Sequence, residues 1–194
     1  INTNMINSAN PDPVQYSCQQ NYAFLSTDGY WNGNNGQDLN GSLISDEDNV
    51  DADNSSRASG SFDGNTGTKG SLADVAMYYY NNDLRPAGSL GAEGVDVSED
   101  NVPISALDQN SKQHMVTYAI SLGLNGLMDF SKDYLEGKNK DFENIKQGTS
   151  GACSWTTGVC NWPSFDTSKI GGGQDARTID DLWHATVNGR GKYY

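Results

Sequence analysis

Basic residues are scarce in this chain of 194: 12 Lys and Arg face 25 Asp and Glu, a formal charge of −13. A surface this acidic repels phosphate backbones and argues against nucleic acid as a partner, whereas calcium and magnesium are natural company. Histidine is scarcer still, with two residues, and no Ser or Cys sits in a nucleophile-type context. A hydrolytic triad therefore has no support. Long apolar runs are missing too. None approaches the roughly 18–20 residues needed to cross a bilayer, and Ile1 opens nothing like a signal peptide.

Cysteine is also rare, and its three positions are informative. Cys153 and Cys160 bracket the short loop GACSWTTGVCNW, a spacing that a disulfide closes without long reach. Two thiolates with no nearby His or further Cys rarely make a zinc site. The disulfide is the better reading, and it implies an oxidising compartment. Cys18 is left unpaired. Either it is a free buried thiol or its partner lies on polypeptide outside this chain.

What is present reads as an α/β chain. Residues 1–20 form an extended lead-in around Asn10-Pro11-Asp12-Pro13. The apolar run at 21–27 predicts a strand buried on both faces, and Asp28 stands where it ends. In open α/β sheets that is where ligands bind, so Asp28 is a candidate ligand for Mg²⁺ or Ca²⁺; the plainer alternative is an Asx-turn capping Gly29. A Gly/Asn/Asp/Ser-rich insertion fills 29–70. Ser71 with Asp74 forms a capping-box pattern opening a helix that Pro86 stops. A second insertion covers 86–112, and HMVTYAISLG predicts a second strand.

Residues 127–137 resemble a short amphipathic helix, and Thr178 is placed as N-cap of a last helix ending at Gly189. Strand, helix, strand, helix implies right-handed crossovers and a parallel sheet. Two strands cannot bury both faces of such a sheet alone. The fold is therefore expected to be completed by residues outside this chain.

Several acidic residues invite a metal reading. The run containing Asp46, Asp48, Asp51 and Asp53 fails the EF-hand test: from Asp51 the Gly and Glu positions are Ser56 and Phe62. A solvated acidic loop is the simpler account, with an irregular calcium loop as the other. Asp180, Asp181 and His184 share a helix turn and are the one set from which a metal-assisted hydrolase could be built. The helix macrodipole explains the two aspartates without any ion. His114, at the start of the second strand, reads as packing or capping. Tyr78, Tyr79 and Tyr80 cover most of a helix's circumference: core on one side, an adhesive or interdomain surface on the other.

Four segments carry a family resemblance: SCQQNYAFLSTDGYWNG, SLADVAMYYYNNDLRP, QHMVTYAISLGLNG and IDDLWHATVNGRGKYY. In this order they resemble the type IV pilus tip-associated adhesins, the PilY/PilC family. The resemblance implies the second half of a von Willebrand factor A-like domain over 21–137, of Rossmann type. It implies a connecting segment with the disulfide loop over 138–194, leading toward a β-propeller that can bind calcium. Asp28 matches the third element of that domain's metal-ion-dependent adhesion site. No Asp-x-Ser-x-Ser strand precedes it in this sequence.

The implied function is non-enzymatic: adhesion and pilus biogenesis at a pilus tip, outside the cell and reached through the periplasm. The implied partners are the remainder of the adhesin chain, minor pilins, and a host or abiotic surface. The alternative is a calcium-binding structural module of a secreted protein without a direct adhesive role.

Overall fold

The computed structural model describes residues 12–31, 35–49, 55–64, 66–167 and 175–194. Three strands form one parallel sheet in the order β1-β2-β3: β1 Tyr22–Thr27, β2 Val116–Ser121 and β3 Arg190–Tyr193. β1 and β2 pair in unbroken register from Tyr22↔Val116 to Thr27↔Ser121, and β2 meets β3 with an irregularity between Thr117 and Ala119. Four helices accompany them among the described residues: α1 Ser55–Ser59, α2 Leu72–Asn81, α3 Lys140–Gln147 and α4 Arg177–Asn188.

α2 begins as its sequence demands. The Ser71 side chain accepts from the Asp74 amide at 3.1 Å, and Asp74 Oδ2 accepts from the Ser71 amide at 2.9 Å. This satisfies donors that the first helical turn leaves open. α4 starts two residues before its expected position. Ala176 is the N-cap, and Thr178 lies inside the helix, where its Oγ1 donates to the Asp175 carbonyl. Asp175 Oδ1 accepts from the Arg177 amide at 3.0 Å and does the capping instead.

β3 follows α4 after Gly189 and contains Gly191. A Cβ at Gly191 would collide with the Thr117 carbonyl, so only glycine allows β3 to approach β2 here.

Two expectations need correction. β1 is not buried on both faces. Ala23, Leu25 and Thr27 are half-buried against the core, whereas Tyr22 and Phe24 are 52% and 64% exposed. Leu25 packs into the core with Ala119 and the α4 residues Leu182 and Trp183, whereas the side carrying Tyr22 and Phe24 is left open among the described residues. Residues 127–137 are not a helix but an irregular segment ending in a single 3₁₀ turn, Tyr134–Glu136. Side chains satisfy its backbone. The Leu127 and Met128 amides donate to Asp180, the Asp129 amide donates to Asp141, and Asn139 Nδ2 donates to the Asp129 carbonyl. With those groups partnered, helical hydrogen bonds are unnecessary.

The core centres on Trp183, which meets Phe130, Tyr134, Phe142, Trp162 and Tyr193 at ring-centroid distances of 5.1–6.2 Å. Residues 138–194, read from sequence as a connection, supply α3, α4 and β3 to this same body. Within them Cys153 and Cys160 form a disulfide with Cα atoms 5.7 Å apart, and Cys18 is free and exposed rather than buried. The Trp162 indole donates to the Gly60 carbonyl at 2.7 Å, tying the disulfide loop to the 29–70 stretch. Thiol titration is expected to count one reactive group in the native chain and three after reduction and unfolding; three in the native state would refute the bridge.

Among their described residues the polar stretches 29–70 and 86–112 hold little regular structure, a 3₁₀ turn at Ala92–Gly94 included. Besides α1 they carry antiparallel bridges at Gln37↔Leu43 and Leu90↔Asp96. No helix among the described residues is long and apolar enough to cross a membrane.

Candidate functional site

The described residues contain one group of three side chains with metal-ligating geometry: Asp46, Asp48 and Asp74, whose oxygens lie within 4.8 Å of one another. The sequence analysis singled out Asp46 and Asp48; Asp51 and Asp53 lie outside the described residues. The solvated-loop reading is overturned for this part of the run. Asp48 is 2% exposed, and the Asp46 side chain 9%. The 29–70 stretch folds back over α2 here, with the Glu47 amide donating to Asp74 Oδ1 at 2.6 Å across 27 residues.

Asp74 does two jobs. Its Oδ2 closes the capping box and its Oδ1 receives the loop, so both oxygens already accept protein donors. Asp48 is held from α4: the Asn188 Nδ2 donates to Asp48 Oδ2 at 2.6 Å and to the Ala73 carbonyl at 3.1 Å. Asp63 is a fourth carboxyl, close enough to Asp48 and Asp74 for each to alter its charge. Against these acids stands the Lys69 ammonium, 3.3 Å from Asp46 and 64% exposed. His184 Nε2 is 3.5 Å from Asp48 but bonds the Ser61 carbonyl at 2.7 Å. Burial pushes that imidazole down to about 3, so it is neutral.

Burial dominates the cluster's electrostatics. Desolvation, then the charges of Asp63 and Asp74, hold Asp48 well above the usual carboxylate range. Desolvation likewise lifts Asp63 to about 7 and Asp74 to about 6. Neighbouring acids disfavour one another's charged forms in a region that water cannot screen.

The other candidates are placed separately. Asp28 is exposed at the C-terminal end of β1, and the Gly29 turn is closed by Thr27 Oγ1 rather than by the Asp28 side chain. Asp28 is not part of the three-carboxylate group. Without an Asp-x-Ser-x-Ser partner these residues do not by themselves compose an adhesion-type metal site. Asp180, Asp181 and His184 do not converge on one point. Asp180 accepts from Leu127 and Met128, Asp181 accepts from Leu72 and Ala73 at the start of α2, and His184 stacks on Trp162.

His114 is a packing residue, buried between Asp108 at 2.9 Å and Asp100 at 3.4 Å with its ring against Tyr80. Tyr80 is in the core, while Tyr79 donates to the Gln37 carbonyl and Tyr78 accepts from the Leu39 amide. The 29–70 stretch therefore takes up the helix face that the sequence left for a partner.

Burial also lifts Asp180 and Asp181 to about 7. A carboxyl whose folded value is raised holds a proton that the unfolded chain, at 3.8, has released. Its stabilisation is complete below the unfolded value and is lost as pH climbs through the folded one. His184 acts oppositely, withdrawing stability as pH falls below 6.5. Asp63, Asp74, Asp180 and Asp181 outweigh one imidazole. In metal-free buffer the melting temperature is thus expected to be higher at about pH 5 than at about pH 8. A rise over that span would contradict the burial of these acids.

Sequence reasoning missed Asp63, Asn188 and the cluster role of Asp74. Asp74 carried a complete local explanation as a cap, and no spacing pattern connects residues so far apart in the chain.

Among named proteins the chain is similar to the Type IV pilus biogenesis factor PilY1 of Pseudomonas aeruginosa. With the strain PAO1 protein it is 29% identical over 194 residues, covering 93% of this chain. With the strain UCBPP-PA14 protein it is 26% identical over 207 residues, covering 100%. With the strain PAK protein it is 28% identical over 191 residues, covering 93%. The chain spans 14–16% of the length of these relatives. No family model matches it, and no solved structure matches it.

Proposed function

The chain belongs to the PilY/PilC family of type IV pilus biogenesis factors, and on that premise we propose that it is one folded segment of a larger adhesin that assembles and caps the pilus. The observation that carries this reading is a match to PilY1 running through 93–100% of the chain. In this reading the segment is the second half of a von Willebrand A-like domain and has no catalytic role. It sits at the pilus tip outside the cell, having passed through the periplasm, and works against minor pilins and a host or abiotic surface. The Cys153–Cys160 bridge suits that oxidising route.

The uncovered sheet face supports the same reading. A parallel sheet is ordinarily covered on both faces. Here Tyr22, Phe24, Leu122 and Tyr194 are each more than half exposed. The proposed cover is the remainder of the adhesin chain, since the relatives are several times longer.

Deleting the segment from the full-length protein is expected to abolish surface pili and attachment; a strain that keeps both would overturn the proposal. A subtler variant tests the covering. Phe24→Glu should change the stability of the isolated chain by no more than about 0.5 kcal/mol, the usual scale for an exposed position. In the full-length protein the same change should reduce secretion and piliation sharply. Equal tolerance in both settings would show that nothing covers this face.

A further inference from the structure

The carboxylate cluster carries an inference that does not depend on the family assignment. We propose that Asp46, Asp48 and Asp74 bind one divalent cation, calcium by the chemistry of the set, with the buried Asn188 holding Asp48 in place.

Three observations converge on this. The first is geometric: the three oxygens lie within 4.8 Å of one another. An ion bonded at about 2.3–2.6 Å spans donors up to roughly 5 Å apart, which is calcium's range.

The second is unmet hydrogen bonding. Both Asp46 oxygens, Asp48 Oδ1, Asp63 Oδ1 and Asn188 Oδ1 are buried without a hydrogen-bond partner. Asn188 is not an acid, is wholly buried, and has its amide docked on Asp48. Five such acceptor atoms in one region is unusual, because native interiors leave few. All five are oxygens. A cation satisfies several together; among the described residues the ammonium that meets them is Lys69, which reaches Asp46 from solvent.

The third is charge. The clustered carboxyls Asp46, Asp48 and Asp74 are withdrawn from solvent and the ammonium that meets them, Lys69, reaches only Asp46, so a divalent ion supplies the opposite charge they lack. A hard, oxygen-only, largely dehydrated set favours calcium over magnesium, which keeps most of its water.

The ligands arrive from three parts of the chain: the acidic run, the N-terminus of α2 and, through Asn188, the end of α4. A bound ion would therefore fasten the 29–70 stretch onto the helical layer.

The test is a titration of the metal-free chain with calcium chloride near neutral pH, read by calorimetry and melting. One ion per chain is expected, with a melting temperature raised by about 5–10 °C at calcium a hundredfold above Kd. Magnesium chloride should give a smaller shift; a larger one would overturn the choice of ion. Asp48→Asn should abolish the calcium heat and shift while the metal-free protein melts no lower, because the amide keeps an oxygen to accept from Asn188. Should that variant fail to fold, Asp46→Asn, at the rim of the cluster, is expected to weaken calcium binding at least about tenfold, the loss of one charged ligand. No heat and no shift in the parent chain, or undiminished affinity in the folded variants, would overturn the site.

Discussion

Trp183→Ala is expected to destabilise the chain by about 3–5 kcal/mol, the range for removing a large aromatic from a core. Domains of this size are stable by only about 5–15 kcal/mol, so the variant should be largely unfolded at modest denaturant concentrations. The reason is local. Trp183, on α4, is 2% exposed and meets Phe130 and Tyr134 of the 127–137 segment, Phe142 of α3 and Tyr193 of β3. Truncation leaves a cavity walled by Tyr134, Phe142, Trp162 and Tyr193, rings too rigid to collapse into it. Chemical denaturation with the slope held constant measures this directly. A loss near 1 kcal/mol would mean that the aromatic cluster is not the centre of the fold.

The second large effect concerns the contact between α2 and α4. Asp181 lies just past the first turn of α4, and its oxygens accept from the Leu72 and Ala73 amides, the first donors of α2, at 3.0 and 3.3 Å. One helix thus caps another. Asp181→Ala removes both acceptors and strands two donors at the start of a helix, at about 1–3 kcal/mol for each buried one. A total of about 2–4 kcal/mol is expected, together with loss of amide-exchange protection in the first turn of α2. Asp181→Asn retains one acceptor oxygen and should cost less than half as much. It should also flatten the pH dependence by one carboxyl, because burial holds Asp181 at about 7. Equal costs for the two substitutions would mean that the contact works through charge and not through its hydrogen bonds.

These interactions show where the sequence was legible. β1, α2 and β2 declare themselves because their signals are local: an apolar run, a Ser71–Asp74 box, an alternation of β-branched and aromatic residues. α3 carried comparable signals, Asn139 as N-cap, Phe142 and Ile145 three apart, and Gly148 in the left-handed conformation, and could have been read. β3 could not. It is four residues with a glycine, an arginine at positive φ and little strand propensity, and it pairs because β2 offers an edge beside the end of α4.

The misread 127–137 segment fails for the opposite reason. Its apolar spacing suits a helix, but Asp180, Asp141 and Asn139 supply its backbone partners from elsewhere. The carboxylate cluster was half visible. Two of its members lie in a conspicuous acidic run; the rest are brought in by tertiary folding, which no window of sequence contains.

β1 has one further consequence. Pairing with β2 leaves its outer side lined with backbone donors and acceptors, and its sequence YAFLST holds neither lysine nor proline to discourage a newcomer. With no described strand on that side, the protein presents a ready seam for stitching to a copy of itself, and dilute, cold handling is the regime in which it should remain single.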